Sequence, residues 1–406
     1  MDPTPRTTAR PGSQLGASVT LQQLDLDPHP VLARLRAQEP VAWLPSVGGW
    51  VITRHDLALE AMRDSERFTV DDPRFSTAQV VGPSMLSLDG AAQARHRAPF
   101  VGPFRAAAVS GRFAQAAADH ARRLVDALQA AGGGGPRGRE VRGGELRRSF
   151  AGPMSAAIVA RALGLDEDEV NAVLGWYDAI VASVTEITAG HGPTAAGTAA
   201  FAALRARLGA VIAAGDESSL LAAAAAGDGA LSEDEIVANA AVLLFGGIET
   251  TEGMIANAVL ALLSHPDALQ RVRAQPAGLD AALDESLRLE PAAAVIDRYA
   301  TADVSLGGAR IGRRDLVRIS ISAANRDPAV FADPDVFDLS RANHRRHLAF
   351  AQGPHVCVGV HLARLEARTA LRELLARLPA LALDPERPAS VRGLVFRKPP
   401  RLDVVW

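Results

Sequence analysis

Cysteine and lysine are almost missing from this 406-residue chain. Each occurs once, as Cys357 and Lys398, and every other one of the 43 basic residues is arginine. A single cysteine excludes an intramolecular disulfide and any zinc cage built from several thiolates. Its plainest reading is a small buried hydrophobe. An excess of positive charge is also missing. The net charge of −3 leaves no global basic field, so nucleic acid is not expected as a partner. Long apolar runs are absent too: the longest, Ala240 to Ile248, has nine residues, against about 18 for a membrane span. The first residues, MDPTPRTTARPGSQ, lack the apolar stretch of a secretory signal. The expectation is a soluble, cytoplasmic protein with no membrane partner.

What is present reads as globular, with 48% apolar and 22% charged residues. The length allows two or three domains or one large fold. Arginine in place of lysine, with abundant alanine, suggests GC-rich coding and says nothing of function. Val41 to Thr53, broken by Gly48-Gly49, has the pattern of a hairpin. Helical patterns follow around Asp56–Asp64 and Ala91–Ala130. The glycine-rich stretch from Ala130 to Gly144 reads as a surface loop. Asp166 with Glu169, and more clearly Ser232 with Glu235, form capping-box signals. The second opens a helix from Glu233 to roughly Ser264, apolar on nearly every side and so expected to be buried. Val295 to Ile321 reads as short strands, with turns at Gly307-Gly308 and Gly312. A last helix is expected over about Gly359–Leu378, followed by a β-like tail. Residues 1–18 are expected to form a loose tail, and 19–406 a single domain that is mainly α with small β-sheets.

The strongest chemical signal surrounds the cysteine, in Phe350-Ala-Gln-Gly353-Pro-His355-Val-Cys357-Val-Gly359-Val-His-Leu362-Ala363-Arg364-Leu-Glu366. A glycine-bearing loop brings a thiol to the start of a helix, where unsatisfied N–H groups favour a thiolate. Gly353 and Gly359 let backbone approach the sulfur or a flat cofactor. A thiolate with no second cysteine nearby suits the axial position of a heme.

This segment resembles the heme-binding loop of the cytochrome P-450 family, F-x-x-G-x-H-x-C-x-G-x-x-L-A-R-x-E, and all nine specified positions match. The resemblance implies heme b as cofactor, Cys357 as proximal iron ligand and His355 as a contact to a heme propionate. Phe350, Gly353 and Gly359 belong to the same loop. Ala351 stands where a glycine is common.

A second signal lies inside the long helix, Gly246-Gly247-Ile248-Glu249-Thr250-Thr251. Two glycines leave room beside the backbone for a ligand. The acid–alcohol pair in an apolar run could relay protons or could mark a local kink. The segment is similar to the family's [AG]-G-x-[DE]-T-T motif, which implies that Glu249 and Thr250 deliver protons to bound dioxygen. Ile248 replaces a frequent histidine, implying a more apolar pocket at that point.

Glu285-Ser-Leu-Arg288 resembles the E-x-x-R motif, with Arg341 as the residue completing a structural network. Arg298 and Arg97 align with propionate ligands. Gln93 stands where the D-[PG]-x-x-H-x-x-x-R segment beginning at Asp89 carries histidine, and His96 is the alternative contact. The resemblance runs from about Leu21 to Trp406 and implies the family's fold, with a long central helix crossing the heme.

Family topology implies four substrate-facing regions: Thr69–Leu88, Val181–Ala195, Leu243–Gly247, and Ala292–Ile296 with Leu394–Phe396. Their small apolar residues suggest a roomy cavity and a mainly hydrophobic small-molecule substrate. Arg95, Arg97, Arg105, Arg345, Arg346, Arg364 and Arg368 are expected near the cysteine side, where a basic patch would steer an acidic electron donor such as a ferredoxin with its reductase. The implied activity is a heme-thiolate monooxygenase that hydroxylates or epoxidises its substrate in natural-product biosynthesis. Other oxidative outcomes (desaturation, rearrangement, ring coupling) share the same oxygen activation and stay open. So does a heme-binding sensor or recruitment protein without turnover, although such a protein has no need of a Glu249–Thr250 relay. A helical scaffold without heme would require the cysteine-loop match to be coincidence.

Overall fold

The computed structural model describes residues 14–131, 142–188, 191–215, 220–225 and 231–406. Its spine is the helix Glu233–Ser264. Ser232 accepts from the Glu235 N–H while the Glu235 side chain accepts from the Ser232 N–H, so both halves of the capping box form. At 1.5 Å per residue the helix runs about 48 Å. Its apolar residues have no solvent face to seek, and Ile236–Leu244 and Gly253–Val259 are buried throughout. The helices Gly152–Ala162, Leu279–Leu289 and Val360–Arg377 pack against it, and Ala106–Ala131 packs on the last of these. The expected Ala91–Ala130 segment is two helices, Gly90–Val101 and Ala106–Ala131.

The hairpin at Val41 forms as expected. Strand Val41–Leu44 pairs antiparallel with Gly49–Ile52 around Gly48, whose φ of +61° favours glycine. Three further strands, two of them far along the chain, complete a five-stranded sheet. Gly49–Ile52 pairs parallel with Leu316–Ser320. That strand pairs antiparallel with Val295–Ala300, which in turn holds Phe68–Thr69. A second sheet joins Gly143–Glu145, Asp403–Val405 and Ala382–Leu383. It seats the C-terminal tail against Leu146 and Arg147, whose backbone N–H and Nη1 donate to Leu402 O and Pro400 O.

Three expectations need correction. The fold does not begin at Val19: Gln14–Ala17 is helical, and the Gly16 N–H donates to Glu39 Oε2 at 3.3 Å. Residues 1–13 lie outside the described residues, as do 132–141 of the glycine-rich loop. Asp166 does not open an α-helix directly, because a 3₁₀ turn over Glu167–Glu169 precedes Val170–Thr188. The third concerns membrane-spanning length. Ala195–Ala214 is long and apolar enough by composition to cross a bilayer. Here it packs on Val170–Thr188, and its two charges are used laterally: Arg207 pairs with Glu169 and Arg205 with Asp234.

Candidate functional site

The cysteine loop is closed by its own backbone. The Cys357 N–H donates to Phe350 O at 2.9 Å, and the Val356 N–H to Gly353 O at 3.1 Å. The Phe350 ring lies against His347 and beneath the Arg364 guanidinium, 5.3 Å from its centre. Ala351 sits at φ +56°, a left-handed conformation that explains why glycine suits this position. Gly353 also has positive φ, but for a reason other than a cofactor. A Cβ there would meet Met62 O at 2.6 Å and Arg63 Cα at 3.0 Å, so the glycine lets the loop close on the helix His55–Arg63. The Gly359 N–H lies close enough to the Cys357 thiol to favour its ionised form.

Cys357 is exposed in surface area yet lies deep in the protein mass. Its free surface therefore faces an internal gap rather than bulk water. Burial pushes its thiol up, and the Gly359 N–H and the Arg97 charge only partly oppose this. The helix start alone does not make a thiolate here; a coordinated metal deprotonates such a thiol outright.

Around this gap the sequence-predicted cations and donors gather. Gln93 Nε2 donates to Pro354 O at 3.0 Å, and Arg97 Nη2 to Val356 O at 2.6 Å. His355 Nε2 lies 2.7 Å from Asp89 Oδ1. Burial alone would raise the Asp89 carboxyl, but bonds from His355, Thr69 Oγ1 and the Val70 N–H outweigh it and hold it at about 2. His96 turns away, toward Asn239 and Glu235. Gln93, not His96, is thus the side chain on the cysteine loop. Arg298 is 4% exposed, and among the described residues it forms no ion pair. Its Nη1 donates only to Asp297 O, at 2.8 Å. Burial brings it down to about 10, against the pull of Asp89 and Asp297. A buried cation with no ion pair among the described residues, on the Asp89 side of the loop that carries a lone thiol, fits a flat cofactor that carries carboxylates. The residues present therefore fit a heme.

The two glycines of the central helix have different tasks. A Cβ on Gly246 would meet open space, whereas one on Gly247 would meet Val159 Cγ2 at 2.9 Å. Gly247 is therefore a helix-packing glycine. Ile248 is fully buried in the main core, so it does not line an open pocket as expected. Thr250 Oγ1 donates to Gly246 O at 2.6 Å. Glu249 is 6% exposed and is not free: Lys398 Nζ lies 2.8 Å from its Oε1, and the same ammonium pairs with Glu252. Sequence reading missed Lys398 and Glu252. The available signal was the solitary lysine, a residue type this chain otherwise avoids.

Behind the cysteine loop, Arg288 makes a two-pronged pair with Glu285, both bonds 2.8 Å, with neither side chain exposed. Arg341 Nε reaches Glu285 Oε1 at 2.9 Å. The neighbouring Asp284, which sequence reading passed over, ties this helix to the loop through His344, His347 and Arg364. Burial alone would raise its carboxyl. The bonds from His347 and Arg364 outweigh that and hold it at about 2.

The expected pocket walls meet in part. Phe245 stacks edge-on to Phe396 at 5.5 Å and lies 6.4 Å from Tyr177. Ala293 bridges to Phe396. A cleft of about 520 Å³ opens between Val80–Leu88, Phe201 and Val237–Ala238, nearer the start of the central helix than expected. The ion pairs Arg95–Glu235 and Arg205–Asp234 involve residues that line it. Arg95 is therefore on this side, not in the expected basic patch. Arg345, Arg364 and Arg368 do converge, with His361, on a second cleft of about 240 Å³.

The comparisons with known proteins agree with this geometry. Residues 217–275 and 278–404 match the family model described as Cytochrome P450. The chain is 34% identical to cytochrome P450 monooxygenase PikC of Streptomyces venezuelae, over 93% of this chain and 90% of that protein. It is 32% identical to nocardicin C N-oxygenase of Nocardia uniformis, over 94% and 96%. Among solved structures, P450BioI in complex with an acyl carrier protein ligated to hexadec-9Z-enoic acid superposes with a TM-score of 0.82. It is 26% identical, covering 96% of this chain and 100% of that one.

Proposed function

From the premise that this chain belongs to the cytochrome P450 family and is a heme-thiolate monooxygenase, we propose that its cofactor is heme b, held by Cys357, and that its substrate is a mainly hydrophobic natural-product intermediate. The observation that carries this reading is the lone thiol on its closed loop, together with the buried cation Arg298, which forms no ion pair among the described residues. A bound heme supplies redox chemistry that activates dioxygen with two electrons and transfers one oxygen atom to the substrate.

The chain's own residues surround that chemistry. Cys357 would supply the sulfur that holds the cofactor, with the nearby Gly359 N–H favouring its ionised form. Arg298, Arg97, His355 and Gln93 hold the carboxylate edge of the cofactor, with Phe350 bracing the loop. Gly246 gives space beside the central helix, and Glu249 and Thr250 manage protons there. Phe245, Phe396 and Tyr177 form an apolar wall that favours a hydrophobic substrate and excludes water. Hydroxylation or epoxidation is the outcome proposed. A relative named for N-oxygenation and a structural relative holding an acyl chain are consistent with one oxygen-activating frame serving several substrates.

The electron donor is proposed to be an acidic ferredoxin that reads the cleft formed by Arg345, Arg364 and Arg368. Turnover with such a donor should slow as ionic strength rises, and a salt-independent rate would remove this partner from the reading. The reduced, carbon-monoxide difference spectrum tests the core of the proposal. A Soret band at the red-shifted position of thiolate-ligated heme is expected, lost in Cys357→Ala. An unshifted band in folded wild-type protein would overturn it.

A further inference from the structure

Glu249 and Glu252 are three residues apart and share one face of the central helix. They are 6% and 2% exposed. Two carboxylates on one buried face repel each other and need cations. The fold supplies two from distant parts of the chain. Lys398 Nζ sits between the acids, 2.8 Å from Glu249 Oε1 and bonded to Glu252 Oε2. Arg147 Nε lies 3.1 Å from Glu252 Oε1, out of line for a hydrogen bond. The four side chains form a run of alternating charge with no net excess.

Lys398 is itself held rigidly. Its N–H donates to Arg392 O at 3.1 Å, and its carbonyl accepts from the Arg392 N–H at 3.2 Å. Arg147 Nη1 donates to Pro400 O at 2.9 Å, fixing the tail beyond it. The Lys398 Cβ passes over Gly253, where an added Cβ would lie 3.6 Å from it. Two residues earlier, Phe396 meets Phe245 of the same helix. One short tail segment therefore carries both a pocket wall and the cation on Glu249. A lysine suits this position: its compact ammonium offers three donors and can serve two acids at once.

We propose that Lys398 is a positioning residue for oxygen activation: it fixes Glu249 Oε1 against the C-terminal tail and leaves Oε2 outside that pair, so that the Phe396 segment sets how Glu249 carries protons. This rests on the reading above of Glu249 as a proton carrier.

The solitary lysine makes a direct test available. Holoenzyme grown with ¹³Cε-lysine and studied as the diamagnetic reduced carbon-monoxide complex gives one lysine side-chain signal. An immobilised signal that shifts in Glu249→Gln is expected. A sharp, mobile signal that is the same in Glu249→Gln overturns the pairing.

The second readout is substrate-free oxygen consumption, driven by a plant-type ferredoxin and its reductase, in H₂O and D₂O. Lys398→Met is expected to slow it about tenfold and to raise the solvent isotope effect, as weakened proton delivery would. Lys398→Arg should recover part of the rate. If Lys398→Met does not fold, Lys398→Met with Glu252→Gln keeps the buried charges balanced against Arg147 and still releases Glu249. Should Glu249→Gln raise the isotope effect while both Lys398→Met proteins match wild type, the positioning role is overturned and the proton-carrier reading stands. Should neither residue matter, the proton-carrier reading falls and this inference with it.

Discussion

Asp89 and His355 are 266 residues apart in sequence and 2.7 Å apart at their side chains, Oδ1 to Nε2. The pair clamps the start of the helix Gly90–Val101 to the cysteine loop. Asp89 also accepts from Thr69 Oγ1 at 2.6 Å and from the Val70 N–H at 2.8 Å, so one carboxylate gathers three elements around the proposed cofactor edge. Its carboxyl is held at about 2, from an ordinary 3.8, because those bonds outweigh the cost of burial. A depressed carboxyl contributes stability that is present above the unfolded value and lost as pH falls through the folded one. Asp89→Asn is therefore expected to cost about 2 kcal/mol at neutral pH. Wild type and variant should converge between pH 4 and pH 2 in denaturation experiments. A gap that stayed constant down to pH 2 would show that the charge is not what matters.

The pair also marks the limit of what the sequence made legible. Local relationships were read well. The Ser232–Glu235 cap, the length of the central helix and the Glu285–Arg288 pair all depend on spacings of three or four residues. The cysteine loop was legible as a motif because its chemistry is contiguous. Contacts between distant segments were read only where a family motif carried them, as for Arg341 on Glu285. Lys398 on Glu249, Arg364 on Asp284 and the parallel pairing of Gly49–Ile52 with Leu316–Ser320 come from tertiary packing alone. Glycines were ambiguous for the same reason. Gly246 and Gly247 look alike in sequence, and only the position of Val159 separates the one that leaves space from the one that packs.

Two residues of the cysteine loop should respond to opposite substitutions. Ala351 holds φ +56° without the freedom of glycine. Ala351→Gly is expected to raise stability by about 0.5–1 kcal/mol, the left-handed penalty less the extra entropy of glycine. Gly353→Ala is expected to lower it by about 3 kcal/mol, because the new Cβ would stand 2.6 Å from Met62 O at positive φ. Thermal melts of the holoenzyme, followed by circular dichroism and by heme absorbance, check both. The opposite order would contradict the loop conformation.

Glu366 is 3% exposed, its Oε2 has no partner among the described residues, and burial raises its carboxyl well above 4.5. The folded chain thus binds a proton that the unfolded chain releases. This group's contribution to stability is complete below the unfolded value and is lost as pH rises toward the folded one. Glu366→Gln presents a neutral side chain of the same shape at every pH. It should match wild type near pH 4.5 and melt at a higher temperature by pH 8. Equal melting temperatures across that range would mean that Glu366 is ionised and paired in the folded protein.

Arg288 offers the sharpest test of how the loop is supported. Its guanidinium is fully buried, pairs with both oxygens of Glu285, and donates to the carbonyls of Asn325, Pro334 and Val336 at 3.1, 2.6 and 3.0 Å. Glu285 in turn accepts from Arg341 and from the Asp338 N–H. Removing one partner of such a pair leaves a buried charge, at a cost of about 3–5 kcal/mol. Arg288→Met is therefore expected to destabilise the holoenzyme by that amount and to release heme at lower denaturant than wild type. Arg288→Lys should recover only part of the loss, because an ammonium cannot bridge both oxygens of Glu285 and reach three carbonyls in one plane. Arg341 still pairs with Glu285 once Arg288 is gone, so adding Glu285→Gln to Arg288→Met strips Arg341 of its acid, and the double variant should be less stable than Arg288→Met alone. A double variant more stable than Arg288→Met would mean that Arg341 does not rely on the Glu285 charge, and would leave Arg288 as the centre of the network.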